Sequence, residues 1–144
     1  MNISVRKATI NDAQIISDII LDSLGFYNPV ETIHSGLENI CNLDTDIVLI
    51  AECDGEAVGF IHAENYTPLY SPPLKDIMSL AVKKEYQGHK IGTRLINEVE
   101  KWALETGRQG VQVLSQLAFT GAHKFYESMG YTVNKQQINF IKYF

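Results

Sequence analysis

The sequence predicts an α/β fold in the broad sense that includes α+β, with a mixed, mostly antiparallel sheet flanked by helices in the order βααβββαβαββ. Two observations carry this prediction. Asp54-Gly55 stands between two apolar runs, which is a strong hairpin signal. Met78 to Leu95 reads as an apolar strand, a glycine-bearing turn and an amphipathic helix. The chain has 144 residues and is 45% hydrophobic, so we expect one domain over residues 1–144.

The N-terminal third reads as strand, helix, helix. Ile3 to Lys7 alternates like a short strand, and Asn11-Asp12 can cap the helix that follows. That helix carries apolar residues at helical spacing, namely Ile15, Ile16, Ile19 and Ile20. A second helix is expected from Pro29 to about Cys41, with its apolar face formed by Ile33, Leu37 and Ile40.

The middle of the chain predicts three strands. Ile47 to Cys53 and Ala57 to Ala63 flank the Asp54-Gly55 turn as an antiparallel hairpin. The segment from Thr67 to Pro73 contains three prolines and must be a loop, because proline removes ladder donors and fixes φ. A strand from about Leu74 to Val82 follows.

The last third alternates helices and strands. A helix with a regular apolar face, formed by Ile91, Leu95, Val99 and Trp102, is expected to end near Gly107. Val111 to Leu114 predicts a buried strand. A short helix with Ala122, Phe125, Tyr126 and Met129 on its apolar face stops at Gly130, and Tyr131–Val133 with Ile138–Tyr143 predict a closing hairpin.

Charge and cysteine content narrow the class of ligand. The net charge of −5 gives no general reason to bind nucleic acid, and no apolar run approaches the roughly 20 residues that span a bilayer. Cys41 and Cys53 lack metal-type spacing and no signal peptide is evident, so we expect no metal and a cytoplasmic protein. Four cations nevertheless cluster within a short window, which favours a small anionic ligand: Lys83, Lys84, Lys90 and Arg94.

A glycine turn that enters a helix N-terminus presents converging backbone N–H groups, a setting suited to phosphate or pyrophosphate. Here the turn reads Gln87-Gly88-His89-Lys90-Ile91-Gly92, and a second motif, Ala122-His123-Lys124-Phe125-Tyr126-Glu127-Ser128-Met129-Gly130-Tyr131, follows the fifth strand. Together with the element order, these motifs resemble the GNAT superfamily of acetyl-CoA-dependent N-acetyltransferases over essentially the whole chain. The resemblance implies the GNAT acyl-CoA N-acyltransferase fold and acetyl-CoA as co-substrate.

The resemblance also implies which residues hold acetyl-CoA. The turn matches the family's pyrophosphate loop, Arg/Gln-x-x-Gly-x-Gly/Ala, which assigns the loop to Gln87, Gly88, His89, Lys90, Ile91, Gly92 and Thr93. The strand before the loop splays from its neighbour in the family, so the backbone of Leu80, Ala81 and Val82 is expected to pair with pantetheine. Lys90 stands where the family has its first glycine. We expect it to adopt a helical φ and to tolerate replacement better than Gly88 or Gly92.

Tyr126 matches the family's tyrosine that protonates the departing thiolate; without the resemblance it would be interpreted as a core aromatic. The general base stays open between Asp76, Glu64 and a chain of waters, and each of these carboxylates also fits a solvated strand end. Many relatives carry an asparagine at the position of Phe119, which leaves its cofactor contact to Ser115 or Gln116. His34, His62, Trp102 and the two cysteines are assigned to packing or the surface.

The expected function is therefore direct transfer of an acetyl group from acetyl-CoA to a primary amine of a small molecule or peptide. A non-catalytic acyl-CoA-binding or sensing module is the alternative, and a nucleotide-binding module is disfavoured because neither GxxxxGK[ST] nor GxGxxG is present. The apolar segment Ile138–Ile141 fits either a homodimer contact or core packing.

Overall fold

The computed structural model describes all residues from Met1 to Phe144 and resolves two compact units, Met1–Leu114 and Ser115–Phe144. The first unit holds a five-stranded sheet in the order β1-β2-β3-β4-β5. Its strands are β1 (Ile3–Lys7), β2 (Asp46–Cys53), β3 (Glu56–Tyr66), β4 (Leu74–Val82) and β5 (Val111–Val113), and its helices are α1 (Ala13–Leu24), α2 (Val30–Ile40) and α3 (Ile91–Glu105). The second unit contains α4 (Thr120–Ser128).

The sheet is mixed and mostly antiparallel, as predicted. β1 to β4 pair antiparallel with their neighbours, while β4 and β5 pair in parallel. Asp54 and Gly55 have φ of 51° and 86°, the pair of positive φ values that a type I′ turn requires between β2 and β3. The predicted hairpin is therefore confirmed at its turn.

Helices cover both faces of the sheet. On one face, α1 and α2 bury a cluster that joins Ile16, Ile19 and Leu37 to Val48, Ile50, Phe60 and Ala81 of the strands. On the other face α3 packs against β3 and β4 through its fully buried Leu95, Ile96 and Val99. None of the helices combines the length and apolar character that crossing a bilayer requires.

The start of α1 differs from the prediction. A 3₁₀ turn, Ile10–Asp12, precedes the helix, and Thr9 rather than Asn11-Asp12 supplies the cap: its hydroxyl accepts from Asn11 N, and Asp12 Oδ2 accepts from Thr9 N at 2.8 Å. Arg6 binds both Asp12 oxygens at 2.8 and 2.9 Å. These hydrogen bonds hold the pKa of the Asp12 carboxyl below its usual range. Asp12 therefore acts as a buried ion-pair partner that ties β1 to the helix.

Two irregularities shape β4. Its register against β3 shifts between His62, opposite Ser79, and Ala63, opposite Ile77, so Met78 is an extra residue that forms a bulge. β5 pairs with β4 only at Lys75, Asp76 and Ile77. From Met78 to Val82, β4 therefore has β3 on one side and no β5 partner on the other.

The C-terminal part of the prediction is wrong in two respects. β5 ends at Val113 and is only half-buried, and Leu114 is exposed, because the strand is three residues long and lies at the end of the strand order. The predicted closing hairpin is absent: no strand occurs from Tyr131 to Phe144. Apolar alternation alone does not make a strand where no partner completes the ladder. Large apolar side chains are consequently exposed there, namely Val133, Ile138, Phe140, Ile141, Tyr143 and Phe144.

Candidate active site

The edge of β4 beyond Ile77 is the first component of the candidate site. Backbone N–H and C=O groups on an unpaired strand edge can pair with an added extended segment. Leu80, Ala81 and Val82, the residues predicted to hold pantetheine, lie in this stretch. The strand therefore presents a backbone edge of the kind that the sequence analysis expected.

The turn after β4 is the second component. Gly88 has φ of 83°, and Lys90, at the N-cap of α3, has φ of 64° and ψ of 21°. Lys90 therefore adopts the left-handed conformation that glycine favours, where the sequence analysis expected an ordinary helical φ. The position keeps the backbone shape of a glycine although its side chain is long. Its carbonyl accepts from Arg94 N at 3.0 Å and so begins the helix.

No side chain caps α3, so the first-turn N–H groups of Ile91, Gly92 and Thr93 receive no capping oxygen. Donors of this kind, at the positive end of the helix dipole, suit an anion. Gln87, at the start of the turn, donates from its side-chain Nε2 to the Val82 carbonyl at 2.9 Å. Its side chain thereby ties the turn to the end of β4. His89 and Lys90 are exposed beside it.

An open cleft of about 340 Å³ is the third component. Its walls come from α1, α2 and the segment after α1, and its floor from β2, β3 and β4. The lining is apolar except for His62 and Ser79, which face each other in the β3–β4 register: Ile16, Ile20, Leu24, Phe26, Ile33, Gly36, Leu37, Ile40, Val48, Phe60, His62, Ser79, Leu80 and Ala81. Leu80 and Ala81 thus contribute both to the strand edge and to the cleft.

His62 forms an ion-pair-type contact that the sequence analysis missed. Its Nε2 lies 2.8 Å from Asp46 Oδ2, and the hydroxyl of Thr45 donates to Asp46 Oδ1 at 2.8 Å. The Asp46 side chain is only 7% exposed. His62 and Asp46 are sixteen residues apart in the chain and meet only through the β2–β3 register. The available signal was the alternation that sets His62 on the same face as Phe60.

Asp76 differs from the solvated strand-end carboxylate considered earlier. Its Oδ1 is buried without a hydrogen-bond partner, and it stands opposite Glu64 in the sheet. Burial raises the pKa of the Asp76 carboxyl, and the Glu64 charge adds to the rise, while a hydrogen bond with Gln112 and the proximity of His62 oppose it. Asp76 is not part of the cleft lining.

Tyr126 lies on α4 of the second unit, half-buried, with its ring centroid 5.5 Å from that of Phe125 and 6.2 Å from that of Tyr131. Burial raises the pKa of its phenol, which makes it a weaker acid than a solvated tyrosine. The other predicted site residues all belong to the first unit, along β4 and the turn that follows it. No group of three or more His, Cys, Asp or Glu side chains is arranged to hold a metal ion.

Comparisons with solved structures agree with this architecture. An aminoglycoside acetyltransferase, AAC(6')-Iy bound to a bisubstrate analogue made from CoA and acetylneamine, superposes with a TM-score of 0.86 at 18% identity and 99% coverage of both chains. AAC(6')-Ih from Acinetobacter baumannii gives 0.85 at 15% identity, again over 99% of each chain. At these identities the comparisons establish the fold.

Curated relatives and a family model identify the family. An uncharacterised N-acetyltransferase of Archaeoglobus fulgidus is 33% identical over 87 residues, 59% of each chain. Another from Methanocaldococcus jannaschii is 29% identical over 90 residues, 61% of this chain and 40% of the relative. The chain thus spans about half the length of these relatives. The model of the acetyltransferase (GNAT) domain matches residues 44–133, from the start of the β2 region to beyond α4, and the chain therefore belongs to the GNAT acetyltransferase family.

Proposed function

We propose that this chain is a cytoplasmic, acetyl-CoA-dependent N-acetyltransferase and that residues 1–144 act as a single domain. The observation that carries the proposal is the continuity of β4 with the turn after it. The strand loses its β5 partner after Ile77 and leads, through Gly88 and the left-handed Lys90, into the uncapped start of α3. Family membership supports acetyl-CoA as the acyl donor.

In this proposal the extended and the charged parts of acetyl-CoA bind different groups. The backbone of Leu80, Ala81 and Val82 pairs with pantetheine as an added strand would. The turn from Gln87 to Thr93 binds the pyrophosphate through its N–H groups. A single contact at an exposed helix end contributes roughly 0.3–1 kcal/mol, so several must act together.

The transfer is direct, without an acyl-enzyme. Cys41 and Cys53 are free, but burial raises the pKa of each thiol, which disfavours the thiolate that a nucleophile needs. The amine nitrogen attacks the acetyl carbonyl carbon, the C–S bond breaks, and Tyr126 supplies a proton to the leaving sulfur. Holding both substrates in one site supplies much of the acceleration.

The acceptor in this proposal is a primary amine of a small molecule or a peptide. Several solved structures of the same fold are named as aminoglycoside acetyltransferases, one of them in complex with sisomicin, which supports a small-molecule amine in that site class. Their identity to this chain is 15% and 23%, too low to carry the substrate over.

The test is a thiol-release assay with acetyl-CoA and a chemically diverse panel of amines, run beside calorimetric measurement of acetyl-CoA binding. We expect binding and amine-dependent release of CoA. Binding without release from any amine would favour a sensing module, and neither binding nor release would contradict both readings.

A matched glycine pair tests the loop. Gly88 and Gly107 both have positive φ, 83° and 74°, and an added Cβ would meet nothing within 4 Å at either position. Each Gly→Ala change therefore carries a similar backbone cost of about 1–2 kcal/mol. We expect Gly88→Ala to weaken acetyl-CoA binding severalfold, while Gly107→Ala leaves it unchanged. Equal effects on binding would contradict the loop assignment.

A further inference from the structure

An amine acceptor must lose a proton before it can attack, and neither Tyr126 nor any of the acetyl-CoA-binding residues is assigned to accept that proton. An alkylamine resembles lysine, with a pKa near 10.4, so making the neutral amine available at pH 7 costs about 4–5 kcal/mol. Tyr126 is assigned to donate a proton to sulfur and is half-buried with a raised pKa. A separate group must accept the proton that the nitrogen loses.

The apolar cleft contains one titratable side chain in its lining, His62. His62 lies on β3 opposite Ser79, directly beside the bulge at Met78 where β4 leaves the regular ladder. Leu80 and Ala81, assigned to the acetyl-CoA strand edge, line the same cleft. The imidazole is thus placed in the cavity that adjoins the proposed acyl donor site.

The hydrogen bonds around His62 fix which nitrogen is basic. The Asp46 carboxylate accepts from Nε2–H at 2.8 Å, and Thr45 holds the second Asp46 oxygen. With the proton on Nε2, the lone pair of Nδ1 is the one available to accept a proton. The nearly buried Asp46 charge also stabilises the imidazolium that results.

The neighbouring carboxylates fit this role less well. Asp76 is outside the cleft lining, its Oδ1 is buried, and its other interactions are with Gln112, Glu64 and His62 itself. Glu64 is likewise absent from the lining. The helices α1 and α2 contribute only apolar residues and a glycine to the cleft. Among the carboxylates, Asp46 on β2 accepts from His62 and Asp76 on β4 interacts with it electrostatically, while Glu64 on β3 stands opposite both of these residues in the sheet.

We propose that His62 is the general base of the reaction and that Asp46 is its positioning residue; this rests on the proposed acetyltransferase function. Nδ1 accepts one proton from the ammonium of the acceptor, and the freed electron pair forms the N–C bond to the acetyl carbon. As the C–S bond breaks, the sulfur takes a proton from Tyr126, and the second nitrogen proton restores the phenol. The products are the acetamide and CoA thiol, and the proton on His62 passes to water.

The test compares His62→Gln with His34→Gln. His34 is a half-exposed histidine on α2 that pairs with Glu38 at 2.9 Å, outside the cleft lining, so its variant controls for loss of a histidine–carboxylate pair. We expect His62→Gln to lower kcat by about 10²–10⁴-fold with acetyl-CoA affinity unchanged, and His34→Gln to retain wild-type kcat. Wild-type kcat in His62→Gln would overturn the proposal.

The pH profile separates a base from a structural residue. In the wild type, kcat/KM for the amine should rise with pH through one ionisation and then level off. In His62→Gln it should continue to rise about tenfold per pH unit, because only amine already free in solution reacts. In Asp46→Asn, the rise in kcat/KM should occur at lower pH than in the wild type, since the imidazolium loses its carboxylate. A rise at the same pH as in the wild type would overturn the positioning role.

One further measurement needs only the wild type, and another uses chemical rescue of a variant. The temperature dependence of the wild-type limb should give the large ionisation enthalpy of an imidazole, and a value near zero, typical of a carboxylate, would overturn the assignment. Added imidazole should partly restore His62→Ala. A wild type that binds acetyl-CoA and never releases thiol would overturn the transferase function itself, whereas an active wild type with an equally active His62→Gln would overturn only this inference.

Discussion

Lys75 is the clearest case in which one residue's environment predicts a measurable effect. Its side chain is 1% exposed, its ammonium lies 3.3 Å from the centroid of the Trp102 ring, and it donates to Asn65 Oδ1 at 2.6 Å. Burial lowers the pKa of this ammonium. Compared with the unfolded chain, the folded state therefore disfavours the charged ammonium. This charge lowers the free energy of unfolding at neutral pH. The destabilisation is relieved as pH rises through the lowered folded-state pKa towards 10.5.

We expect Lys75→Met, which keeps the stem and removes the charge, to change the free energy of unfolding at pH 7 by less than about 1.5 kcal/mol. Lys75→Ala should cost about 2–5 kcal/mol because it leaves a cavity. Urea denaturation at pH 7 and 9.5 checks both predictions. At the higher pH, the free energy of unfolding of the wild type should rise relative to that of Lys75→Met. If Lys75→Met were as unstable as Lys75→Ala, the contacts with Trp102 and Asn65 would outweigh the cost of burying the charge.

Tyr126 allows a kinetic prediction at the same scale. Tyr126→Phe removes only the hydroxyl and keeps the ring that packs against Phe125 and Tyr131. We expect kcat to fall by about 10²-fold or more while acetyl-CoA affinity stays close to wild type. Tyr131→Phe, on the neighbouring ring, is the matched comparison. Steady-state thiol release with calorimetric binding measures both quantities, and unchanged turnover would remove the general-acid assignment.

At the scale of elements, the turn before α3 stores backbone strain in one residue. A non-glycine residue in the left-handed region costs about 1–2 kcal/mol, and Lys90 has φ of 64°. We expect Lys90→Gly to raise the free energy of unfolding by roughly 0.5–1 kcal/mol, after the greater freedom of glycine in the unfolded chain offsets part of the relief. Lys90→Ala removes the same charge and keeps the strained φ, so it should give no such gain. Chemical denaturation of the two variants decides between strain and charge.

Elements with local signals were predictable from the sequence, and those that depend on partners were not. The turns at Asp54-Gly55 and Gly107 follow from the backbone preferences of these residues themselves. Their φ values in the structure are 51°, 86° and 74°. The bulge at Met78 and the pairing of His62 with Asp46 depend on register between strands, which no local pattern specifies. The same reason explains the failure at Tyr131 to Phe144, where apolar alternation predicted strands that have no ladder partner. For the candidate site, the motifs indicated the strand and the turn that we propose hold acetyl-CoA, while the place of His62 and Ser79 in the cleft emerged only from the fold.

At the scale of the whole molecule, the exposed apolar side chains of residues 131–144 call for a partner surface. Each of these side chains is at least 66% exposed, including those of Ile138, Phe140, Ile141 and Phe144. Exposed apolar side chains concentrated in one segment of a small domain favour an association site there. A second copy of the chain is the occupant we expect, because a two-fold interface lets the same segment cover its own equivalent in both directions.

We therefore expect the protein to be a homodimer by light scattering coupled to size exclusion, and Ile138→Lys with Phe140→Lys to shift it to monomer. The charges placed in an apolar interface would be desolvated without partners, which costs several kcal/mol. Leu69→Lys provides the control, since Leu69 is fully exposed in the loop between β3 and β4 and lies outside the segment. A wild type that stays monomeric at high concentration would contradict the prediction. So would a doubly substituted protein that remains dimeric, because the interface would then lie elsewhere.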